Sequence, residues 1–327
     1  MAKPRYRIIN TDLTPSYHVM ARCVRRAFLC GYDEFTGRSF DHRKDWIIEQ
    51  LARLSHAFCI DILAYAIMSN HYHLVLRVNL AELSAQSNQQ VVERWLSVFA
   101  GQPCHRAYLN GEMGDEQREA FEQQTVQELR KRLGEISWFM NKLNQCIALR
   151  ANQEDQAKGH FFEARFNSQA LLDDAALTAC MAYVDLNPIR AGIAEQLADS
   201  HYTSIKQRLE GLNPHTPKTQ PSSLFPKLCR FDPSTHADAL PFSLEAYTQL
   251  LEWTAKRSWP IQPGAIKGRI PNLLLDLKLN PVQFKQHLPA LSKSHSHWLG
   301  STEQLQHIAL ALAQRTVKGI GKLTAIS

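Results

Sequence analysis

Residues 59–79, CIDILAYAIMSNHYHLVLRVN, contain two largely apolar stretches on either side of a serine and an asparagine. Serine and asparagine favour turns, so the segment predicts a β-hairpin whose first strand is buried on both faces. The second stretch alternates, and a period of two places His71, His73 and Arg77 on one face. The other face is apolar and is predicted to point into a core: Tyr72, Leu74, Leu76 and Val78.

Two elements are predicted before this hairpin and a helical region after it. Residues 17–24, YHVMARCV, alternate and contain β-branched side chains, which is typical of a strand. Asp41 can cap a helix, because apolar residues follow at helical spacing: Ile47, Leu51, Leu54 and Phe58. Residues 80–150 show helical patterns throughout.

Another strand and helix are predicted further on. The strand runs from residue 162 to residue 170, where apolar and polar side chains alternate. Asp173 or Asp174 then caps a helix through residues 176–186, ALTACMAYVDL, which should end near Asn187 because Pro188 follows. The strand has one face with Phe162, Ala164, Phe166, Ser168 and Ala170, and a polar face with Glu163, Arg165, Asn167 and Gln169.

The order of these elements predicts an α+β first domain at residues 1–212, with a helical insertion at about 80–135. Residues 213–223, NPHTPKTQPSS, are rich in Pro, Ser and Thr and indicate a linker, placed at 213–245. Residues 246–327 show helical patterns and are predicted to form a small helical C-terminal domain.

The composition is that of an ordinary globular protein. The 327 residues are 44% hydrophobic, and no apolar run approaches the roughly 18 residues of a membrane span. The first residues, MAKPRYRIINTDL, contain no apolar run, so we expect no signal peptide. Seven cysteines without a CxxC pair favour reduced thiols and a cytoplasmic location. A net charge of +6 permits a polyanionic partner without requiring one.

The histidine pair on the second strand of the hairpin is the first candidate site. Two imidazoles on one strand face can share a metal ion, and Arg77 beyond them can meet a phosphate. With 14 histidines in the chain, such triplets also arise by chance, and His295-Ser296-His297 in a polar stretch is interpreted as one. An apolar central residue and a strand context favour the pair at 71 and 73.

Tyr183 and Asn187 form the second candidate site. They are four residues apart on the predicted helix, so their side chains project from the same face. Taken alone, this spacing fits equally a core aromatic followed by a helix-ending residue before a proline.

Four motifs, in this order along the chain, connect the two candidate sites. They are YHVMARCVRR at 17–26, AYAIMSNHYHLVL at 64–76, GHFFEARFNSQALLDDAAL at 159–177 and MAYVDLNPIRAGI at 181–193. Together they resemble the IS200/IS605-like tyrosine transposases and their REP-associated relatives, within the HUH endonuclease superfamily. The resemblance covers nearly all of residues 1–212. The segment after residue 80 is longer than in the compact insertion-sequence enzymes.

The resemblance implies a ferredoxin-like antiparallel sheet and a definite chemistry. His71 and His73 would be metal ligands, Asn187 a third ligand, Tyr183 the nucleophile, and Mg²⁺ or Mn²⁺ the cofactor. The implied activity is cleavage and strand transfer of single-stranded DNA with hairpin or palindromic repeats, through a 5′-phosphotyrosine. The phenol and the imidazoles must then converge, with the Tyr183 hydroxyl open to a phosphate. Relatives act alone or complete each site from a partner, so a homodimer stays open.

Supporting DNA contacts are assigned on charge and position, and surface ion pairs fit these positions equally. They are Arg22, Arg25 and Arg26 near the first strand, Arg77, and Arg165 and Asn167 on the later one. In the C-terminal part, Trp253, Trp259 and Trp298 can stack on bases or pack in a core, and packing is preferred. An accessory DNA-binding role there would draw on Lys256, Arg257, Lys267 and Arg269.

Two other functions fit the same residues. One is a palindrome-binding protein, kept by its host, that no longer cuts DNA. The other is a zinc hydrolase in which a third histidine, such as His160, joins His71 and His73. The second is less favoured, because no carboxylate accompanies the pair at the spacing that hydrolases use.

Overall fold

A six-stranded sheet is the main element of the computed structural model, which describes residues 9–24, 29–33, 37–212, 225–232, 234, 238–255, 270–291, 297–317 and 319–320. The strands are β1 Ser16–Arg22, β2 Tyr32–Asp33, β3 Arg38–Ser39, β4 Ile60–Ile67, β5 His71–Val78, β6 Asn167–Leu171, β7 Trp298–Leu299 and β8 Gly319–Ile320. β2 and β3 form a separate ribbon. The large sheet has the order β4–β5–β1–β6–β7–β8, antiparallel through β6 and parallel beyond it.

The helices occupy the long connections and the C-terminal part. They are α1 Arg43–Ala57, α2 Leu80–Ala85, α3 Asn88–Val98, α4 Pro103–Leu109, α5 Asp115–Phe121, α6 Gln127–Leu133, α7 Ile136–Glu154, α8 Asp174–Asp185, α9 Asn187–Arg190, α10 Ser204–Leu212, α11 Leu244–Ala255, α12 Asn272–Asp276, α13 Pro281–His287 and α14 Thr302–Ala311. A π-helical segment, Glu122–Val126, joins α5 to α6, and a 3-10 turn, Leu288–Leu291, follows α13.

The chain path through the first four sheet strands is β1–α1–β4–β5–α7–β6, with α2 to α6 inserted between β5 and α7. Its strand order, β4–β5–β1–β6, is that of a ferredoxin-like βαββαβ unit. The predicted α+β class is confirmed. None of the helices within the described ranges combines the length and the apolar character needed to cross a bilayer.

Each face of the sheet packs on its own core. Alternation turns Tyr17 of β1 and Leu74 of β5 to one side, where α1 and α7 cover them; we call this the first core. Ala64 of β4 and Val75 of β5 point to the other side, into the second core, which α8 and α11 complete. The predicted burial of the first hairpin strand on both faces follows from this two-sided packing.

The boundaries of two elements differ from the prediction. The strand predicted from Phe162 begins only at Asn167. Phe161 and Phe162 are both buried in the first core, and a strand of period two cannot bury two consecutive side chains on one face. At α1 the N-cap residue is His42, while the predicted cap Asp41 forms an ion pair with Lys44 at 2.7 Å.

The division into domains at residues 212 and 246 stays a prediction. The described part of the predicted linker runs beside β4, since Cys229 N donates to Ile62 O at 2.9 Å. The C-terminal part adds β7 to the sheet, where Ala170 pairs with Trp298. Tyr247 of α11 lies in the second core with α8, so the two predicted domains share buried surface.

Candidate tyrosine–histidine site

Three imidazoles stand on the second-core face of the sheet, where β1 and β5 run side by side. His71 and His73 come from β5 and His18 from β1. The antiparallel register sets Met20 opposite His73 and Arg22 opposite His71. Opposed residues share a face, so the alternation that buries Tyr17 and Tyr72 in the first core turns the histidines the other way.

Helix α8 carries Tyr183 across this face. The Asp173 side chain caps the helix by accepting from Ala176 N at 2.8 Å. The Tyr183 ring lies edge-on to His73, with 5.4 Å between centroids, and 6.0 Å from His18. The His71 and His73 rings are themselves 4.9 Å apart. A phenol and two imidazoles from distant segments therefore meet on one side of the sheet.

The phenol is enclosed. The Tyr183 side chain is only 1% exposed, and the guanidinium of Arg190 lies 4.7 Å from the ring centroid. Residues 175–185 of α8 are all buried, between the sheet and the C-terminal helices. The expectation of a hydroxyl open to a phosphate is not met by this arrangement.

The hydrogen bonds of the imidazoles fix part of their protonation. His71 Nδ1 lies 2.6 Å from the amide oxygen of Asn70, which can only accept. His71 Nδ1 therefore carries the proton, and its Nε2 has a lone pair. His73 Nδ1 lies 3.0 Å from His18 Nε2, and His73 Nε2 is buried without a hydrogen-bond partner among the described residues.

Burial keeps all three imidazoles neutral near pH 7. It lowers the pKa of His18 to about 4, against a smaller opposing effect of a hydrogen bond with Gln169. It also lowers the pKa of His71 to about 4, with a further contribution from the charge of Arg22. The pKa of His73 is held well below its usual range by burial, then by the neighbouring His18 and His71. Neutral imidazoles can serve as metal ligands.

Acid is therefore expected to destabilise the fold. Between pH 6.5 and about 4 the unfolded chain protonates His18 while the folded chain does not, so the free energy of unfolding falls as pH falls. The contribution of His18 is about 1.4 kcal/mol per pH unit in that window. Urea denaturation at pH 7, 6 and 5 measures it, and a His18→Gln variant should show a correspondingly smaller slope. Equal slopes in the two proteins would contradict the assignment.

Asn187 lies just beyond α8, at the start of α9. It is buried, and its Nδ2 has no hydrogen-bond partner in the described part of the chain. Among the described residues, no three His, Cys, Asp or Glu side chains are arranged to hold a metal ion. The ligand set predicted from the sequence is His71, His73 and Asn187, so its third member is an amide and not a His, Cys, Asp or Glu side chain. The lone pair on His71 Nε2 is a suitable donor for a divalent cation, and the buried His73 Nε2 beside it has no hydrogen-bond partner among the described residues.

The zinc hydrolase alternative needs a third histidine as ligand. His160 is exposed, and the third imidazole beside the pair is His18. The Nε2 atom of His18 faces His73 Nδ1 and is engaged there. This geometry does not favour the hydrolase.

The predicted DNA contacts fall at two ends of the sheet face. Arg22 pairs in register with His71, and Asn167 pairs with Met20, which in turn lies opposite His73. Arg22 approaches Glu163 at 3.9 Å with about half of its side chain exposed, and Arg165 and Asn167 are exposed. Arg22 and Asn167 therefore share the sheet face of the histidines, while Arg165 lies exposed just before β6.

Arg77 lies at the other end of β5 and is engaged by protein. Its guanidinium donates to the Asp61 carboxylate at 2.8 Å and to the backbone oxygen of Asp238.

Trp253 and Trp298 are buried, in agreement with the preferred packing interpretation. The remaining assignments lie outside the described residues: Arg25, Arg26, Lys256, Arg257, Trp259, Lys267, Arg269 and the first two residues of the His295-Ser296-His297 triplet.

Sequence reasoning missed His18. The residue belongs to the YHV motif of β1, and its strand position predicts that it faces away from Tyr17 and Val19. His18 lies beside His73 because β1 pairs with β5, and no local sequence pattern predicts that pairing. The signal available was a histidine on the strand face opposite Tyr17 and Val19.

Comparison with known proteins adds one distant similarity. No family model and no curated protein matches the chain. The solved structure of a REP-associated tyrosine transposase bound to a REP hairpin aligns with 65% of this chain and 89% of its own, at 12% identity and a TM-score of 0.37. A similarity of that size carries no argument, so the functional proposal rests on the motifs and on the site.

Proposed function

We propose that this chain is a metal-dependent single-stranded DNA endonuclease and strand transferase acting on hairpin or palindromic DNA, with Tyr183 as nucleophile. The observation that carries the proposal is the contact of Tyr183 with His73, whose rings are 5.4 Å apart although they come from distant segments. The motifs that resemble the tyrosine transposases supply the reaction class. The proposal needs this contact, since a remote tyrosine could not share a phosphate with the histidines.

The reaction is a transesterification. The Tyr183 oxygen forms a bond to phosphorus, the bond from phosphorus to the 3′-oxygen breaks, and that oxygen takes up a proton. The phenol loses its own proton as it attacks. The covalent link keeps the energy of the broken bond, so a second 3′-hydroxyl can reverse the step without ATP. The 5′-phosphotyrosine polarity comes from the family resemblance.

His71, His73 and Asn187 would hold the cation. Two neutral imidazoles, an amide oxygen and waters suit Mg²⁺ or Mn²⁺. When bound, such a cation offsets the negative charge of the phosphodiester and polarises its oxygens. Arg22 and Asn167 on the same sheet face are suited to guide the DNA backbone toward the tyrosine.

The enclosure of Tyr183 sets a condition on this chemistry. Cleavage requires that α8, or the segments that cover it, shift so that the phenol meets the DNA. The same observation favours a second candidate, a protein that binds palindromic DNA without cutting it. In that case Tyr183 is a core aromatic.

A labelled hairpin oligonucleotide with single-stranded flanks separates the two candidates. It is drawn from palindromic repeats beside the gene and incubated with the protein and Mn²⁺. On a denaturing gel the enzyme should retain a 3′-end label in a slow protein–DNA species and release a 5′-labelled fragment. That polarity follows from a phosphotyrosine at the 5′ end of the downstream fragment, which carries the 3′-end label.

Controls make the assay specific for the site. EDTA and a His71→Ala substitution should each remove the slow species, the latter by about 100-fold or more, because even residues behind metal ligands typically cost 10–100-fold. A matched His56→Ala change on the exposed face of α1 should leave it intact. Hairpin binding without any slow species at any Mn²⁺ concentration would establish the non-cutting candidate.

A further inference from the structure

Arg190 lies on the same helical stripe as Tyr183 and Asn187. Asn187 is four residues after Tyr183 and Arg190 three residues after Asn187, a spacing that places side chains on one face of a helix. The helical path continues from α8 into α9, because Leu186 stays in the right-handed helical region and Arg190 N donates to Leu186 O at 2.9 Å. A shift of this segment as a unit therefore carries the phenol, the amide and the guanidinium together.

The guanidinium of Arg190 lies against the phenol ring. Its central carbon is 4.7 Å from the centre of the Tyr183 ring, which also contacts the His73 ring edge-on at 5.4 Å. Arg190 is half-buried, whereas Tyr183 is enclosed. The charge of Arg190 also contributes to the lowered pKa of His73. A positive charge of the chain thus stands beside both the tyrosine and the histidine pair.

A guanidinium at this place matches the charge that a phosphodiester develops under attack. The negative charge lies on the non-bridging oxygens, and donors aimed at it lower the barrier. A guanidinium can donate two parallel N–H groups to two phosphate oxygens at about 2.7–2.9 Å. A phosphate attacked by the phenol must lie at the Tyr183 oxygen, and the guanidinium is already in contact with the ring that carries this oxygen.

We propose that Arg190 is a catalytic residue that donates hydrogen bonds to the non-bridging oxygens of the scissile phosphate while Tyr183 attacks it. This role rests on the proposed function. The phenol oxygen forms the bond to phosphorus and gives its proton to water, and the bond from phosphorus to the 3′-oxygen breaks. That oxygen takes a proton from water. Arg190 exchanges no proton, because a guanidinium is not deprotonated in proteins.

A purely structural role for Arg190 makes different predictions. A guanidinium on an aromatic ring stabilises packing, and a cation in the last turn of a helix interacts favourably with its dipole. If Arg190 did only this, its loss would lower the free energy of unfolding, and a correctly folded variant would cut DNA normally. The test must therefore measure the rate of the chemical step in folded protein.

Single-turnover adduct formation with Mn²⁺ on the labelled hairpin measures that step. Arg190→Gln keeps most of the side-chain volume but removes the charge, and should slow the adduct about 100-fold or more while hairpin binding changes little. Arg190→Lys keeps a point charge without the planar fork and should recover part of the rate. Arg106→Gln, at an exposed position in the last turn of α4, is the matched control and should react as the wild type does.

Chemical rescue gives a readout that a structural role would not move. Arg190→Ala removes the guanidinium together with its stem. Millimolar guanidinium in the reaction should then restore much of the lost rate, and the same concentration of ammonium should not, because only guanidinium provides the paired donors. Urea denaturation of each variant establishes that the measured protein is folded.

The outcomes separate this inference from the proposed function. A wild-type adduct with Arg190→Gln reacting within about threefold of it overturns the role of Arg190 and leaves the proposed function standing. A folded Arg190→Ala that is slow and is not rescued by guanidinium does the same. A wild type that forms no adduct overturns the proposed function and this role with it. Should Arg190→Ala fail to fold, the Arg190→Gln and Arg190→Lys rates still decide.

Discussion

Replacing Tyr183 by phenylalanine is expected to abolish the covalent protein–DNA species while leaving hairpin binding intact. The substitution removes only the oxygen that forms the bond to phosphorus, and the ring that packs between His73 and Arg190 stays. Loss of the nucleophile should lower strand cleavage by a factor on the order of 1,000 or more. Denaturing gels measure the adduct, and an electrophoretic shift measures binding.

Tyr72→Phe is the matched control. Tyr72 lies between the two histidines in sequence but points into the first core, where its hydroxyl hydrogen-bonds the amide oxygen of Asn144. That variant should cut at the wild-type rate and lose only about 1 kcal/mol of stability. An undiminished adduct in Tyr183→Phe would remove Tyr183 from the mechanism.

The Asp185→Ala substitution is expected to lower the free energy of unfolding by about 3–5 kcal/mol. The carboxylate is fully buried and accepts hydrogen bonds from Ser204 Oγ at 2.6 Å, Ile205 N at 2.9 Å and Tyr247 Oη at 2.7 Å. Those contacts join the end of α8 to the starts of α10 and α11. Alanine leaves three buried donors unpaired and removes the negative partner of the buried Arg208.

Urea denaturation followed by circular dichroism measures this loss. Asp199→Ala, at an exposed position on the same connection, should change stability by no more than about 0.5 kcal/mol. Burial raises the pKa of Asp185, and Arg208 together with the three donors offsets that effect only in part. Asp185→Leu combined with Arg208→Met should therefore recover only the part of the loss that comes from the unpaired Arg208 charge, because the three donors stay without their acceptor. A change below 1 kcal/mol in Asp185→Ala would show that the network does not hold α8.

The local part of the fold could be predicted from the sequence. The alternation in HYHLVLRV fixed which side of β5 each residue faces, because a strand has a side-chain period of two. Asp173 predicted the start of α8 as its cap, and Pro188 predicted its end; both signals are local. Tyr183 and the two histidines of β5 lie on one face of the sheet, as expected from the alternation in β5 and the helix signals of α8.

The features that sequence did not provide are those that depend on packing between distant segments. His18 reaches His73 only through the pairing of β1 with β5. Tyr183 is enclosed because residues after 240 pack on α8, and the sequence analysis divided these residues between a linker that ends at 245 and a C-terminal domain at 246–327. β6 begins at Asn167, five residues later than predicted, because Phe161 and Phe162 both pack in the first core. Such tertiary packing is not visible in the local sequence pattern.

The central claim is that a phenol on α8 and the imidazole pair on β5 act on one phosphate. Mass spectrometry of the nuclease-trimmed covalent species tests it most directly. We expect a nucleotide linked through phosphate to the tryptic peptide containing Tyr183, formed in the presence of Mn²⁺ and absent after EDTA. A nucleotide on any other residue, or a cleaved strand with no linked nucleotide, would contradict it.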